Sequence, residues 1–114
     1  MGVVFGTTRK TGVTSSAGML EIPGNVTLVN IGILGRSVLH QLSLTGAGAS
    51  GVVPVRLRPM GMPAAYSEPL FDQGVPATID LANPVSLVFA GLFDAVILDC
   101  SGVTGSFDVY MESR

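Results

Sequence analysis

The fold is decided by residues 93–112, which read FDAVILDCSGVTGSFDVYME. Two apolar runs, Phe93–Cys100 and Ser106–Glu112, flank a five-residue link with two glycines, Ser101–Gly105. In the second run, apolar and polar residues alternate, as in a strand with one buried face. Two strands with a short glycine-containing link predict a β-hairpin.

The same kind of pattern extends outward from this stretch. Short apolar runs recur at roughly ten-residue spacing, separated by Gly, Pro, Asn and Asp, and no run has a helical period. They lie at residues 19–22, 25–31, 37–44, 52–58, 77–81 and 85–90. The sequence therefore predicts an all-β, single-domain antiparallel β-sandwich, jelly-roll-like or immunoglobulin-like, of about eight strands over residues 19–114.

Residues 1–18 differ in composition from the rest. They are rich in glycine and small polar residues, which predicts a flexible, extended N-terminal arm. Val3, Val4 and Phe5 are apolar enough to dock on a partner as an added strand. The alternative is that this short run pairs within its own sheet.

A proline-rich loop is predicted at residues 59–76, because its four prolines exclude a regular helix or central strand. The loop carries five apolar side chains: Met60, Met62, Tyr66, Leu70 and Phe71. They are candidates for an interface with another chain, and equally for a cap on the end of the chain's own sandwich. Just before the loop, Arg56 and Arg58 point outward from their strand, where they could meet Glu68 or Asp72 of a neighbouring copy.

Composition limits the function classes. Of 114 residues, 47% are hydrophobic and 12% charged, which excludes disorder and is too little charge for an ordinary free monomer. Cys100 is the only cysteine, which excludes a disulfide scaffold and fits synthesis in a reducing cytoplasm. No basic cluster exceeds two residues, so nucleic acid is not an expected partner. No apolar run reaches the ~18 residues of a membrane helix.

Charge is unevenly distributed along the chain. Residues 1–60 hold five basic residues and one acid, a net +4, whereas residues 61–114 hold one basic residue and seven acids, a net −6. Folding of a sandwich is expected to mix the two halves. If the signs instead stay apart, copies could dock plus to minus.

No catalytic, cofactor or metal site is predicted. Residues 46–51, GAGASG, match the dinucleotide fingerprint by letter, but a strand follows where a helix is required, so a flexible loop is the better interpretation. His40 and Cys100 cannot supply a zinc site, and His40 is interpreted as a structural or interface residue. Asp94, Asp99 and Asp108 lack metal-loop spacing and are interpreted as edge charges. Tyr66 and Tyr110 leave a carbohydrate-binding adhesin as an alternative.

The quoted stretch also carries a resemblance. Phe93-Asp94-Ala95-Val96, Val103-Thr104-Gly105 and the strand ending Val109-Tyr110 resemble the closing hairpin of small β-sandwich virion proteins of tailed bacteriophages. Ile97 stands where those proteins usually have a basic residue. The resemblance implies a non-enzymatic capsid decoration protein, or a head or tail accessory protein. It further implies a homo-oligomer, with a trimer favoured, that binds a major capsid or tail protein and resides in the virion.

Overall fold

The computed structural model describes residues 6–24 and 39–114. The predicted strand at residues 25–31 and the residues Val3, Val4 and Phe5 lie outside this part. The described elements are β1 (Gly6–Val13), a 3-10 helix (Ser15–Ala17), β2 (Met19–Pro23), β3 (Leu39–Thr45), β4 (Val52–Pro59), β5 (Glu68–Pro69), β6 (Phe71–Asp72), β7 (Val75–Pro76), β8 (Thr78–Asp80), β9 (Leu87–Ala90), β10 (Phe93–Asp99) and β11 (Phe107–Ser113).

Two antiparallel sheets form the body of the domain. Sheet A has the order β1-β11-β3-β9, and sheet B has the order β2-β10-β4-β5, with β8 paired to the first part of β4. A two-stranded ribbon, β6-β7, lies apart from both. Buried side chains from the two sheets form one core, so the predicted all-β sandwich is confirmed.

Alternation along the strands decides which side chains enter that core. In β11, Phe107, Val109 and Met111 are buried, and the residues between them point outward. In β3, His40, Leu42 and Leu44 are buried in the same way. These inward faces agree with the period-two pattern of the sequence.

The predicted hairpin over residues 93–112 is wrong. β10 and β11 belong to different sheets, and Ser101–Gly105 crosses from one sheet to the other. Both edges of β10 are already paired, to β2 on one side and β4 on the other, so β11 has no place beside it. A bridge between Ser50 and Thr104 and the buried side chain of Val103 fix the crossing segment.

Within the predicted flexible arm over residues 1–18, residues 6–13 form a strand that pairs inside the sandwich, which is the alternative for this region. These residues are β1, which pairs antiparallel with the last strand, from Gly6 opposite Ser113 to Val13 opposite Phe107. Main-chain pairing with β11, rather than side-chain burial, holds β1 in place, since only Val13 of β1 is buried. The register shifts between Lys10 and Val13, where the Gly12 N–H donates to Asp108 Oδ1 at 3.0 Å.

The proline at position 54 predicts an edge strand or a bulge, but β4 is a central strand of sheet B. Its pairing with β10 ends at Val55 opposite Leu98, one residue beyond Pro54. On its other side, Pro54 lies opposite Thr78 of β8. The missing N–H of Pro54 therefore falls where the ladder to β10 has stopped.

Candidate functional site

The proline-rich loop runs along the β4 edge of sheet B, where Glu68 and Pro69 form the edge strand β5, and side-chain polar contacts add to this pairing. Arg56 and Arg58 alternate with inward residues of β4, so their side chains reach the outer face. Arg56 Nε donates to Ser67 Oγ at 2.8 Å and its Nη2 to the Ser67 carbonyl at 2.9 Å. Arg58 Nη1 donates to the Ala64 carbonyl at 2.8 Å. Two arginines of one strand thus fix the middle of the loop.

A third contact fixes the start of the loop. The register between β10 and β4 shifts between Phe93 and Ala95. Asp94 lies at this irregularity, and its Oδ2 accepts the Gly61 N–H at 3.2 Å. The carboxylate of Asp94 therefore anchors the loop rather than serving as a free edge charge.

Arg58 has a second role, because it forms an ion pair with Glu21 of β2. Arg58 lies opposite Ala95 and Glu21 opposite Ile97, so the pair crosses β10 diagonally. Ala95 and Ile97 point outward from the sandwich and are nonetheless buried. The stems of long charged side chains cover apolar surface in this way while their charged ends remain near water.

Within the loop, the apolar side chains divide into two groups. Leu70 packs against the core of its own sandwich. The others face solvent, with exposed fractions of 61% for Phe71 and 60% for Val75, and of 37–38% for Met60, Met62 and Tyr66. We call these five residues the loop surface. Of the predicted interface residues, the structure therefore assigns Leu70 to a self-cap and leaves the other four in the loop exposed.

Val75 is the member of the loop surface that sequence reasoning missed. Phe71–Asp72 and Val75–Pro76 pair as a two-residue hairpin, with Phe71 opposite Pro76 and Asp72 opposite Val75. Gln73 and Gly74 both have positive φ, 52° and 82°, as a type I′ turn requires. The pair Gln73-Gly74 is a weak form of the Asn-Gly signal that could have revealed this hairpin.

The two tyrosines each bond to a nearby glutamate on the same segment. Tyr66 Oη donates to Glu68 Oε2 at 2.9 Å, and this bond, with the negative charge of Glu68, raises the pKa of Tyr66. Tyr110 Oη donates to Glu112 Oε2 at 3.3 Å. Tyr110 lies on the outer face of sheet A, whereas Tyr66 lies in the loop against sheet B. The two rings therefore form no common platform for a sugar.

His40 is enclosed by the core. Its Nε2 lies 2.8 Å from the carbonyl oxygen of Gly91 and therefore carries the proton, while its Nδ1 accepts from Ser113 Oγ at 2.8 Å. The imidazole stacks on Phe89 and lies against Phe93. Burial lowers the pKa of His40, and the bond to Gly91 opposes this in part. Both His40 and Ser113 are buried, so this hydroxyl is not presented to a substrate.

The remaining candidate groups have structural partners in separate places. Asp99 Oδ1 accepts from the backbone and hydroxyl of Ser101, which lowers the pKa of Asp99, and Asp108 accepts from Gly12. In the part of the chain that the structure describes, no three His, Cys, Asp or Glu side chains come together as a possible metal site.

The glycine-rich segment 46–51 leads into β4, and its residue Ser50 bridges to Thr104. It therefore packs against the crossing segment and is not a free loop. Within the described ranges 6–24 and 39–114, no helix has the length and apolar character needed to cross a membrane.

Charges of the two halves of the chain meet in sheet A. Arg9 and Lys10 of β1 lie opposite Tyr110 and Val109, beside the acids Asp108 and Glu112 of β11. In sheet B, however, the ion pair between Arg58 and Glu21 joins two residues of the first half.

Comparison with protein-family models, curated proteins and solved structures finds no match to this chain.

Proposed function

We propose that the chain is a non-enzymatic structural protein that binds copies of itself and a larger protein lattice through the loop surface. The class that fits best is a capsid decoration protein of a tailed bacteriophage virion, which clamps neighbouring subunits of the shell. Its partners would be itself, as a trimer, and a major capsid or tail protein. It would be made in the host cytoplasm and reside in the virion.

The exposed loop surface is the observation that carries this proposal. Phe71 and Val75 project from the two faces of one hairpin, because they belong to adjacent cross-strand pairs, and Met60, Met62 and Tyr66 belong to the same loop. Aromatic residues and methionine are enriched at the cores of interfaces, and aromatic side chains often anchor them. The chain as a whole is poor in charge, with 12% charged residues. Moving these apolar side chains from water onto another protein would therefore lower the free energy.

The polar contacts behind the loop support the same conclusion. Arg56, Arg58 and Asp94 bond to loop backbone or to Ser67, so the loop has a defined shape before any partner arrives. A segment ordered in advance loses less conformational entropy on binding. The two predicted interface arginines therefore act in this proposal as positioning residues, since their hydrogen bonds stay within the chain.

A double variant tests the proposal. Tyr66→Ala with Phe71→Ala should weaken self-association by about 30-fold, or ~2 kcal/mol, while the domain stays folded. The matched control is Tyr110→Ala with Val88→Ala, which removes an aromatic and an aliphatic side chain from the exposed face of sheet A. Sedimentation velocity across micromolar concentrations measures association, and circular dichroism checks the fold.

Two results would overturn the proposal. One is a wild-type domain that sediments as a monomer and does not bind capsid shells or tails. The other is an equal loss of association in both double variants. Saturable binding of the isolated domain on a glycan array would instead favour the carbohydrate-binding adhesin.

A further inference from the structure

β1 differs from the other long strands in how it is held. It lies at one end of sheet A among the described strands and pairs with β11. Only one of its eight residues, Val13, is buried. The core of the sandwich is otherwise built by side chains from elsewhere in the chain. Backbone hydrogen bonds to β11 are therefore the main attachment of β1.

The segment that joins β1 to the body is short and exposed. Its contacts are local: the Thr14 and Ser16 hydroxyls lie 2.8 Å apart, the Ala17 N–H donates to the Thr14 carbonyl at 3.0 Å, and none of Ser15–Ala17 is buried. Immediately after it, the Gly18 carbonyl accepts the Cys100 N–H at 2.8 Å, so the body begins at Gly18. Residues 14–17 can therefore act as a hinge, with an extended reach of about 13 Å.

We propose that β1 exchanges between copies, so that β1 of one chain pairs with β11 of a second copy. The partner is identical, so every bond of the register from Gly6–Ser113 to Val13–Phe107 can form between chains as it does within one. A short hinge favours this arrangement, because extending it relieves the tight return of the chain. The inference rests on the proposed function to the extent that an assembly brings copies close enough for exchange.

Cysteine pairs across the β1–β11 ladder test the exchange. Arg9 and Tyr110 lie opposite each other, and both side chains are exposed. Chains with Arg9→Cys are mixed with chains carrying Tyr110→Cys, unfolded and refolded together, then oxidised and run on a non-reducing gel. With exchange, a disulfide-linked dimer should take up to about half of the chains by random assortment.

The matched control is the pair Gln41→Cys and Glu112→Cys. These residues lie opposite each other on β3 and β11, which both belong to the body and stay together whether or not β1 moves. A mixture of these two variants should give at least tenfold less linked dimer than the test mixture. Wild-type protein controls for the buried Cys100.

A second variant keeps the test independent of the new cysteines. Insertion of Gly-Ser-Gly-Ser after Ser16 lets β1 fold back on its own chain, so the linked dimer should fall several-fold. The inference is overturned if the two mixtures give equal amounts of dimer, or if the insertion changes nothing. It is also overturned if one chain with both Arg9→Cys and Tyr110→Cys links only within itself. If one of these results is obtained and copies still associate in sedimentation, the exchange is rejected while the proposed function stands.

Discussion

β10 and the proline-rich loop are both rich in apolar side chains, yet most of β10 is buried whereas most apolar side chains of the loop are exposed. β10 lies between β2 and β4, and five of its seven residues are buried. The loop contributes only the two-residue edge strand β5 to sheet B and is otherwise held by arginine and aspartate contacts, with Phe71 and Val75 mostly in water. Apolar composition alone therefore does not decide burial. The surroundings of the strand do: β2 and β4 pair with both edges of β10, the core covers its inner face, and the ion pair of Arg58 and Glu21 crosses its outer face.

The largest loss of stability is expected from a change in β10. Leu98→Ala removes a fully buried side chain from the core and should lower the free energy of unfolding by about 3 kcal/mol. Urea denaturation followed by circular dichroism measures this. The corresponding truncation in the loop, Phe71→Ala, should change stability by less than ~0.5 kcal/mol. Similar losses in the two variants would show that the loop belongs to the core.

A change at Arg58 affects both regions, because this side chain covers β10 and holds the loop. Arg58→Ala should lower the free energy of unfolding by about 1–2 kcal/mol through lost covering of Ala95 and Ile97 and a lost bond to the loop. Chemical denaturation again gives the value, and hydrogen exchange should show faster exchange in residues 60–67. The control is Arg114→Ala. That residue pairs with Glu112 at 2.6 Å on the surface, and its loss should matter by less than ~0.5 kcal/mol.

The pH dependence of stability tests the burial of His40 in the core. Burial lowers the pKa of His40 in the folded protein. Below the ordinary histidine pKa of 6.5, His40 of the unfolded chain therefore binds a proton more readily than His40 of the folded protein. Stability should therefore be full above that pH and fall as pH drops from 6.5 toward the lowered folded value. His40 is the only histidine, so His40→Gln should flatten this part of the curve. Thermal melts between pH 7.5 and 5 provide the measurement, and an unchanged slope in the variant would contradict the assignment.

The smallest expected effect lies at the tip of the loop. Gln73 has a left-handed backbone, which asparagine adopts more readily and which suits an Asn-Gly type I′ turn. Gln73→Asn should stabilise the β6–β7 hairpin by about 0.5 kcal/mol, seen as slower amide exchange at Asp72 and Val75, the pair that flanks the turn. Gln73→Val, with a branched side chain, should have the opposite effect. If the two variants behave alike, the turn is not constrained as the structure has it.

The candidate site was only partly predictable from sequence. The proline-rich loop stood out because four prolines interrupt the strand pattern, and Met60, Met62, Tyr66 and Phe71 could be listed as a surface. Sequence could not separate Leu70, which packs on the core, from these neighbours. Nor could it show that Arg56 and Arg58 bond within the chain. Both facts depend on which segment lies along the β4 edge of sheet B.

What the sequence by itself determined was local: the positions of most described strands and the face that each one buries. Period-two alternation makes Phe107, Val109 and Met111 face one side whatever lies beside them. Which strands pair was decided only by the tertiary structure. The link Ser101–Gly105 could reverse within a sheet or cross to the other, and it crosses because β2 and β4 already occupy both edges of β10. The position of β1 also depends on the tertiary structure. Main-chain bonds to β11, which is distant in sequence, hold a strand in which only Val13 is buried.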